Sequence, residues 1–269
     1  EEIMLENLYR NPALNFHIWD GILLEWAQRE ENLTLLLNCT CTSCEMSGSR
    51  IASVTGWQMT TQTWRKVEAK LFADCSGDSV LAPLSGAKFR VGREARSEFD
   101  EDIEPEQADR HTMGLSLLIQ AREQSRPCGF TPPKWAYHFT AEQLCHRLPN
   151  MEDPMENFWY LELGGMEDSI ADTEKIRDEL LKTAYGVWDY VKNAPENKET
   201  NKYWQLDFLG ILPGKRESRR YEGDLMLNQR QVQAGGVFPD VVAYGGWPMD
   251  DHDPMGFHGQ EHPNVNHPT

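Results

Sequence analysis

Four short stretches of this chain gather residues able to act on a ligand. "ADCSGDSVLAPLSGA", Ala73 to Ala87, sets Asp74, Ser76, Gly77 and Asp78 between an apolar run and an apolar, helix-like stretch. Glycine lets a backbone approach a ligand closely, and amides at the start of a helix can meet an anion. The plainer alternative is a strand-to-helix turn capped by Asp78. "LPGKRESRRYEGD" packs Lys215, Arg216, Arg219 and Arg220 around Glu217. Such a turn can hold a carboxylate, a phosphate or another negative group, or can brace two strands through Arg–Glu pairs. "VAYGGWPMDDHDP" places glycines beside Tyr244 and Trp247 and follows them with Asp250, Asp251 and His252, which reads as a binding loop with a proton-transfer group. The alternative for His252 is a solvated loop histidine. "HGQEH", His258 to His262, has the H-x-x-E-H spacing of inverted zinc peptidases. That chemistry needs both histidines on one helical turn, and Gly256, Gly259 and Pro263 oppose a helix there.

No metal site is expected. Cys39, Cys41 and Cys44 form a C-x-C-x-x-C cluster, but "LTLLLNCTC" reads as a strand. Cys39 and Cys41 then share a face with Cys44 beyond it, and no second pair follows at zinc-ribbon spacing. The six cysteines do not fix a redox compartment. With 43 acidic against 26 basic residues the formal charge is -17. Such a chain repels nucleic-acid phosphates and anionic lipid, so neither is an expected partner, and a small-molecule substrate is. No apolar stretch approaches membrane-spanning length.

The elements that must position these residues follow from periodicity. "FHIWDGILLEWAQREEN" is a helix with Ile18, Ile22, Leu23 and Trp26 at helical spacing. A buried strand over "LTLLLNCTC" follows. "RIASVTGWQMTT" is a strand, and "TWRKVEAKLFADCSG" leads into a parallel strand ending at Gly77. "SEFDEDIEPEQADR" reads as a solvated acidic connection. "HTMGLSLLIQA" and "NFWYLELGG" are strands, and "TAEQLCHRL" is a short helix capped by Thr140. "DSIADTEKIRDELLKTAYGVWDYVKN" is the clearest helix, with Ile176, Leu180, Ala184, Val187, Trp188 and Val191 along one face. This alternation of helices and strands predicts an α/β fold.

Taken together, "FADCSGDSVLAPLSGAKFRVGRE", "WYLELGG", "GVWDYVKN", "FLGILPGKRESRRYEGD" and "FPDVVAYGGWPMDDHDP" resemble the bacterial FAD-dependent oxidoreductases of the glutathione-reductase-like superfamily. The resemblance implies a partial FAD-binding domain with a small β excursion over residues 1–89. It implies an α+β, mixed-sheet substrate domain over 90–269. Asp74, Ser76, Gly77 and Asp78 would sit by the FAD, and Arg216, Arg219, Arg220 and His252 near flavin or substrate, with His252 as base. Ser76 stands where the family more usually has Thr, and Cys75 where it has a small residue.

Members begin with a Gly-rich strand–loop–helix and end with a second flavin segment. Neither occurs in this sequence, so it reads as an internal piece expected to hold FAD weakly or not at all. Cytoplasmic location is the expectation, with a periplasmic one open, and the oligomeric state is not set. Two other readings stand beside the flavoenzyme: a binding module without flavin, and a hydrolase using paired carboxylates or the terminal histidines.

Overall fold

Asn15 starts the better-defined of two N-terminal helices, because its side chain accepts from the backbone N–H groups of His17 and Ile18. The computed structural model, which describes residues 1–144, 147, 161–243, 245, 247–259 and 264–267, divides into two units, Glu1–Phe72 and Ala73–Thr269. In the first, α1 (Glu2–Arg10) and α2 (Phe16–Arg29) are joined by the Arg10–Glu25 ion pair and a 2.6 Å bond from Trp26 Nε1 to Glu6, which also pairs with Arg10 within α1. On the expected apolar face of α2, Ile22 is buried but Ile18 and Leu23 are exposed.

Strands β1 (Cys39–Ser47), β2 (Arg50–Gln58) and β3 (Thr63–Glu68) form an antiparallel meander in which Trp57 lies opposite Trp64. The strand expected over "LTLLLNCTC" begins only at Cys39. Leu33, Leu35 and Leu37 are exposed, so no packed surface recruits that run. An irregularity after Cys41 brings Cys44 back to a half-buried position like those of Cys39 and Cys41, rather than beyond them. The three cysteines are not disulfide-bonded to one another.

The second unit opens with α3 (Leu81–Ser85), β4 (Phe89–Val91), α4 (Arg96–Phe99), β5 (Leu115–Ser116) and β6 (Ile119–Glu123). It continues with β7 (Glu162–Leu163), α5 (Thr173–Asn193), β8 (Trp204–Leu209) and β9 (Arg219–Tyr221). It ends with α6 (Gln229–Gln233), β10 (Met249–His252), a 3₁₀ turn at Gly256–His258 and β11 (Asn264–His267). The pairs are β4–β9, β5–β7, β6–β8 and β10–β11. The fold is mixed α/β, but every strand pairing among the described residues is antiparallel, which corrects the expected parallel strand and mixed sheet. The run before Gly77 forms no strand and pairs with no described strand.

Helix α5 carries the core. Ile176, Leu180, Ala184, Val187, Trp188 and Val191 are all buried, packed with Leu115, Leu117 and Leu163 of the β5–β7 region. Each large apolar side chain buried this way contributes about 1.5–3 kcal/mol. The strand expected over "HTMGLSLLIQA" is split into β5 and β6, which pair with different partners. Thr140 does cap a turn, accepting from Gln143 N–H, and residues 141–144 form that turn rather than the predicted helix; residues 145, 146 and 148 of it and the start of "NFWYLELGG" lie outside the described residues. Among the described residues no helix is long and apolar enough to cross a membrane.

Candidate active site

Two of the stretches singled out above meet in the second unit. The turn 74–79 is tied to the basic turn 215–221. Asp78 accepts from Lys215 Nζ at 2.7 Å and Ser218 Oγ at 2.8 Å, and its carbonyl accepts from Arg219 Nε at 2.7 Å. Ser79 Oγ donates to the Arg219 carbonyl, and Tyr221 OH donates to Asp74 at 2.5 Å. Asp74 also accepts from the amides of Ser76 and Leu81, and Ser76 Oγ from that of Val80.

These bonds set the charges. Burial works against the Asp74 carboxylate, but the hydrogen bonds from Ser76, Tyr221 and Leu81 outweigh it and hold its pKa at about 2. The Tyr221 phenol is pushed up to about 12 by burial and by the Asp74 charge. Asp78 is likewise lowered, Lys215 and Ser218 overcoming its burial. Gly77 has φ of 73° and open space where a Cβ would stand, the one point on this turn where a flat group can lie against the main chain. The amides on either side of it are spent internally, Ser76 N–H on Asp74 and Asp78 N–H on Ser76 O.

The four basic side chains of the second turn go to three places. Lys215 and Arg219 hold Asp78, and Arg219 also lies over the Phe89 ring at 5.8 Å. Arg220 turns the other way, donating to the Gly92 carbonyl and to Glu94 at 3.0 Å. The bracing acid is therefore Glu94, which is buried, rather than Glu217, 3.9 Å away, or Asp224. Arg216 reaches Glu162 at 3.2 Å and is the arginine of this turn that lines a cavity beside it.

That cavity, about 450 Å³, holds His252, Asp250, Asp251, Arg93, Arg216 and Glu104 in its wall. His252 is not a solvated loop residue: its side chain is 1% exposed. It ends β10, whose pairing with β11 fixes its direction. Its Nδ1 lies 2.8 Å from Glu162 Oε2 and its Nε2 2.9 Å from Asp250 Oδ2. Both ring nitrogens face carboxylates, so both bonds are satisfied only when the ring carries two protons. Burial opposes that charge, but Glu162 and Asp250 outweigh it and raise the His252 pKa. His252 is therefore a held proton rather than a resting base. Asp250, 21% exposed, is the end of the chain that reaches the cavity.

Glu162 is the residue sequence reasoning missed. It is 3% exposed as a side chain and accepts from Gly114 N–H, Arg216 and His252. Its signal was an acid inside an apolar run closed by two glycines. The acidic connection also differs from expectation. Glu94 and Glu101 are buried, Gln229 N–H donates to Glu101, and Asp102 and Ile103 amides donate to Gln229. Burial, then the charges of Glu101 and Glu94, push Glu104 up to about 7.

Trp247 is exposed, and Tyr244 lies outside the described residues, as do Gln260, Glu261 and His262 of "HGQEH". His258 is on the 3₁₀ turn. Among the described residues no group of three His, Cys, Asp or Glu is placed to hold a metal ion.

The family model described as FAD dependent oxidoreductase matches residues 4–269. No curated protein and no solved structure matches the chain.

Proposed function

The chain belongs to the FAD-dependent oxidoreductase family, and from that membership we propose an enzyme that oxidises a small organic substrate at the cavity bounded by His252, Asp250 and Arg216. The observation that carries this reading is the Glu162–His252–Asp250 chain ending in the cavity wall. FAD, when bound, supplies the acceptor for a hydride. Oxidation of a hydroxyl or amine also releases a proton, and this chain's own residues handle it. Asp250 takes the proton on its carboxylate, which the His252 Nε2–H bond orients toward the cavity. Glu162, itself held by Arg216 and the Gly114 amide, keeps the imidazole charged and oriented.

The turn 74–79 fits one part of FAD better than another. Its free chemistry is carboxylate lone pairs on Asp74 and Asp78 beside an unobstructed Gly77. Those suit the hydroxyls of the ribityl chain, while a pyrophosphate needs donors, and the amides of Ser76, Asp78, Val80, Leu81 and Ala82 are engaged. Three residues of the basic turn act through others, Lys215 and Arg219 positioning Asp78 and Arg220 positioning Glu94, whereas Arg216 lines the cavity.

The test is anaerobic mixing of the flavin-loaded protein with hydroxy and amino compounds, following loss of the oxidised flavin's visible absorbance. Reduction by at least one class is expected. A flavin left oxidised by both classes overturns the reading. In isothermal titration of the 269-residue chain, FAD affinity weaker than about 1 μM is expected, because the amides of Ser76, Asp78, Val80, Leu81 and Ala82 are already engaged.

A further inference from the structure

The charge lining the cavity points to one class of substrate. Glu101, Glu104, Glu217, Asp250 and Asp251 all line it. The arginines that do so, Arg93 and Arg216, are each held by a carboxylate outside the wall. Arg93 grips Asp109 through Nε and Nη2, and Arg216 grips Glu162. His252 is committed to Glu162 and Asp250. Glu101 and Glu217 accept from the amides of Gln229 and Met113. The Glu104 carboxylate accepts no hydrogen bond among the described residues; the Arg96 bond goes to its backbone carbonyl.

A second, independent observation points to a ligand in the same wall. Thr112, 2% exposed, lines the cavity, and its Oγ1 finds no hydrogen-bond partner among the described residues. A buried hydroxyl left unpaired costs about 1–3 kcal/mol, which a ligand that bonds to it recovers.

We propose that this cavity selects an organic ammonium ion, a protonated primary or secondary amine, over neutral hydroxy compounds. The inference rests on the oxidoreductase reading of the site and names its substrate class. The ammonium brings the N–H donor that the Glu104 carboxylate does not find among the described residues, and positive charge to a wall where five acids face two arginines that are already paired; Thr112 Oγ1 accepts from it or bonds a neighbouring polar group. For oxidation the nitrogen first gives a proton to a wall carboxylate. A hydride then leaves the α-carbon for the bound FAD, and the C–N single bond becomes C=N. Two electrons and one hydrogen go to the cofactor, and one further proton goes to solvent by way of Asp250.

The ionisation of Glu104 gives a direct readout. Glu94 and Glu101 face it with like charge, while Arg93 and Arg220 oppose them, and it titrates near 7. An arriving cation must drive its proton off. Calorimetric titration of the protein at pH 7 with butylammonium and with 1-butanol, in two buffers of different ionisation enthalpy, measures affinity and proton release together. Butylammonium is expected to bind at least about tenfold more tightly than the alcohol, with net proton release. Glu104→Gln, its folding checked by circular dichroism, is expected to abolish the release and weaken the ammonium alone.

Equal or tighter binding of the alcohol, no binding of butylammonium, or proton release undiminished in Glu104→Gln each overturns the proposal. The flavin experiment fails separately. Ammonium binding without flavin reduction leaves the selectivity and removes the oxidoreductase chemistry. Flavin reduction by hydroxy compounds without ammonium binding does the reverse.

Discussion

At the scale of the residue, His252 decides how the site handles protons. Its ring lies between two carboxylates, buried, with both nitrogens engaged. His252→Gln keeps a donor toward one partner but removes the positive charge and the proton store. Turnover is expected to fall by about 10²–10⁴-fold, the range for a positioned proton-transfer group, with KM changing less. Steady-state kinetics of the flavin-loaded variant check this, and unchanged turnover would remove His252 from the mechanism. Asp74 makes the opposite kind of statement. Its folded pKa of about 2 lies below the ordinary value near 3.9. Its stabilising effect is therefore complete above pH 4 and fades as pH falls from 4 toward 2. Urea midpoints of the protein and of Asp74→Asn should differ at pH 6 and converge as the pH approaches 2. A gap that stays constant would show that the carboxylate's charge is not what holds the turn.

At the scale of the element, the β4–β9 pair is where the two arginines part. Arg219 and Arg220 follow each other on β9 and so leave on opposite faces. One holds the turn 74–79 through a backbone carbonyl, and the other neutralises Glu94. Arg220→Ala removes the nearer of the two arginines at buried Glu94, Arg90 remaining 3.6 Å away, and is expected to cost on the order of 2 kcal/mol. Arg219→Ala removes one bond to a carbonyl and is expected to cost about 1 kcal/mol. Thermal melts of the two variants are the comparison, and equal melting temperatures would contradict the assignment.

Gly256 tests the 3₁₀ turn in the same way. Its φ is 54°, and a Cβ would stand 2.2 Å from the Glu162 carbonyl oxygen. Gly256→Ala must move β7 or the turn. Loss of activity together with a lowered melting temperature is expected, because Glu162 carries His252. A variant that is fully active and as stable as the parent would show that Glu162 is not held there. Helices α2 and α5 and the hairpin strands were readable in sequence, because each has a period a single element can satisfy. The run 33–38 and the run before Gly77 were not readable. Their apolar residues look like strands, but a strand needs a neighbour, and sequence does not say which neighbour exists. Glu162 and Glu104 were hidden for a related reason: burial of an acid is decided by distant segments that supply its partners.

At the scale of the molecule, the chemistry and the core lie in the same unit. The buried apolar cluster on α5 belongs to Ala73–Thr269, as do His252, Glu162 and the turn 74–79. The unit Glu1–Phe72 is built differently. Ile22 is its one buried apolar side chain among the described residues, and Leu33, Leu35, Leu37, Trp64 and Leu71 are exposed. Its ion pairs, such as Arg10–Glu6 and Lys66–Glu45, are solvent-exposed, and pairs of that kind contribute little. Backbone bonds in a meander with so little apolar cover open by local unfolding. Bonds in α5 open only when the core does. Amide exchange followed by mass spectrometry should therefore separate the two. Peptides from β1 and β2 are expected to exchange at least about tenfold faster than peptides covering 176–191 of α5. The same experiment bears on the site, because a proton chain held within hydrogen-bond distance needs a rigid support. Peptides covering Glu162 and His252 should therefore exchange at rates nearer those of α5 than of the meander. If the meander is as protected as α5, its stability has a source other than its own core, and the division of labour argued here fails.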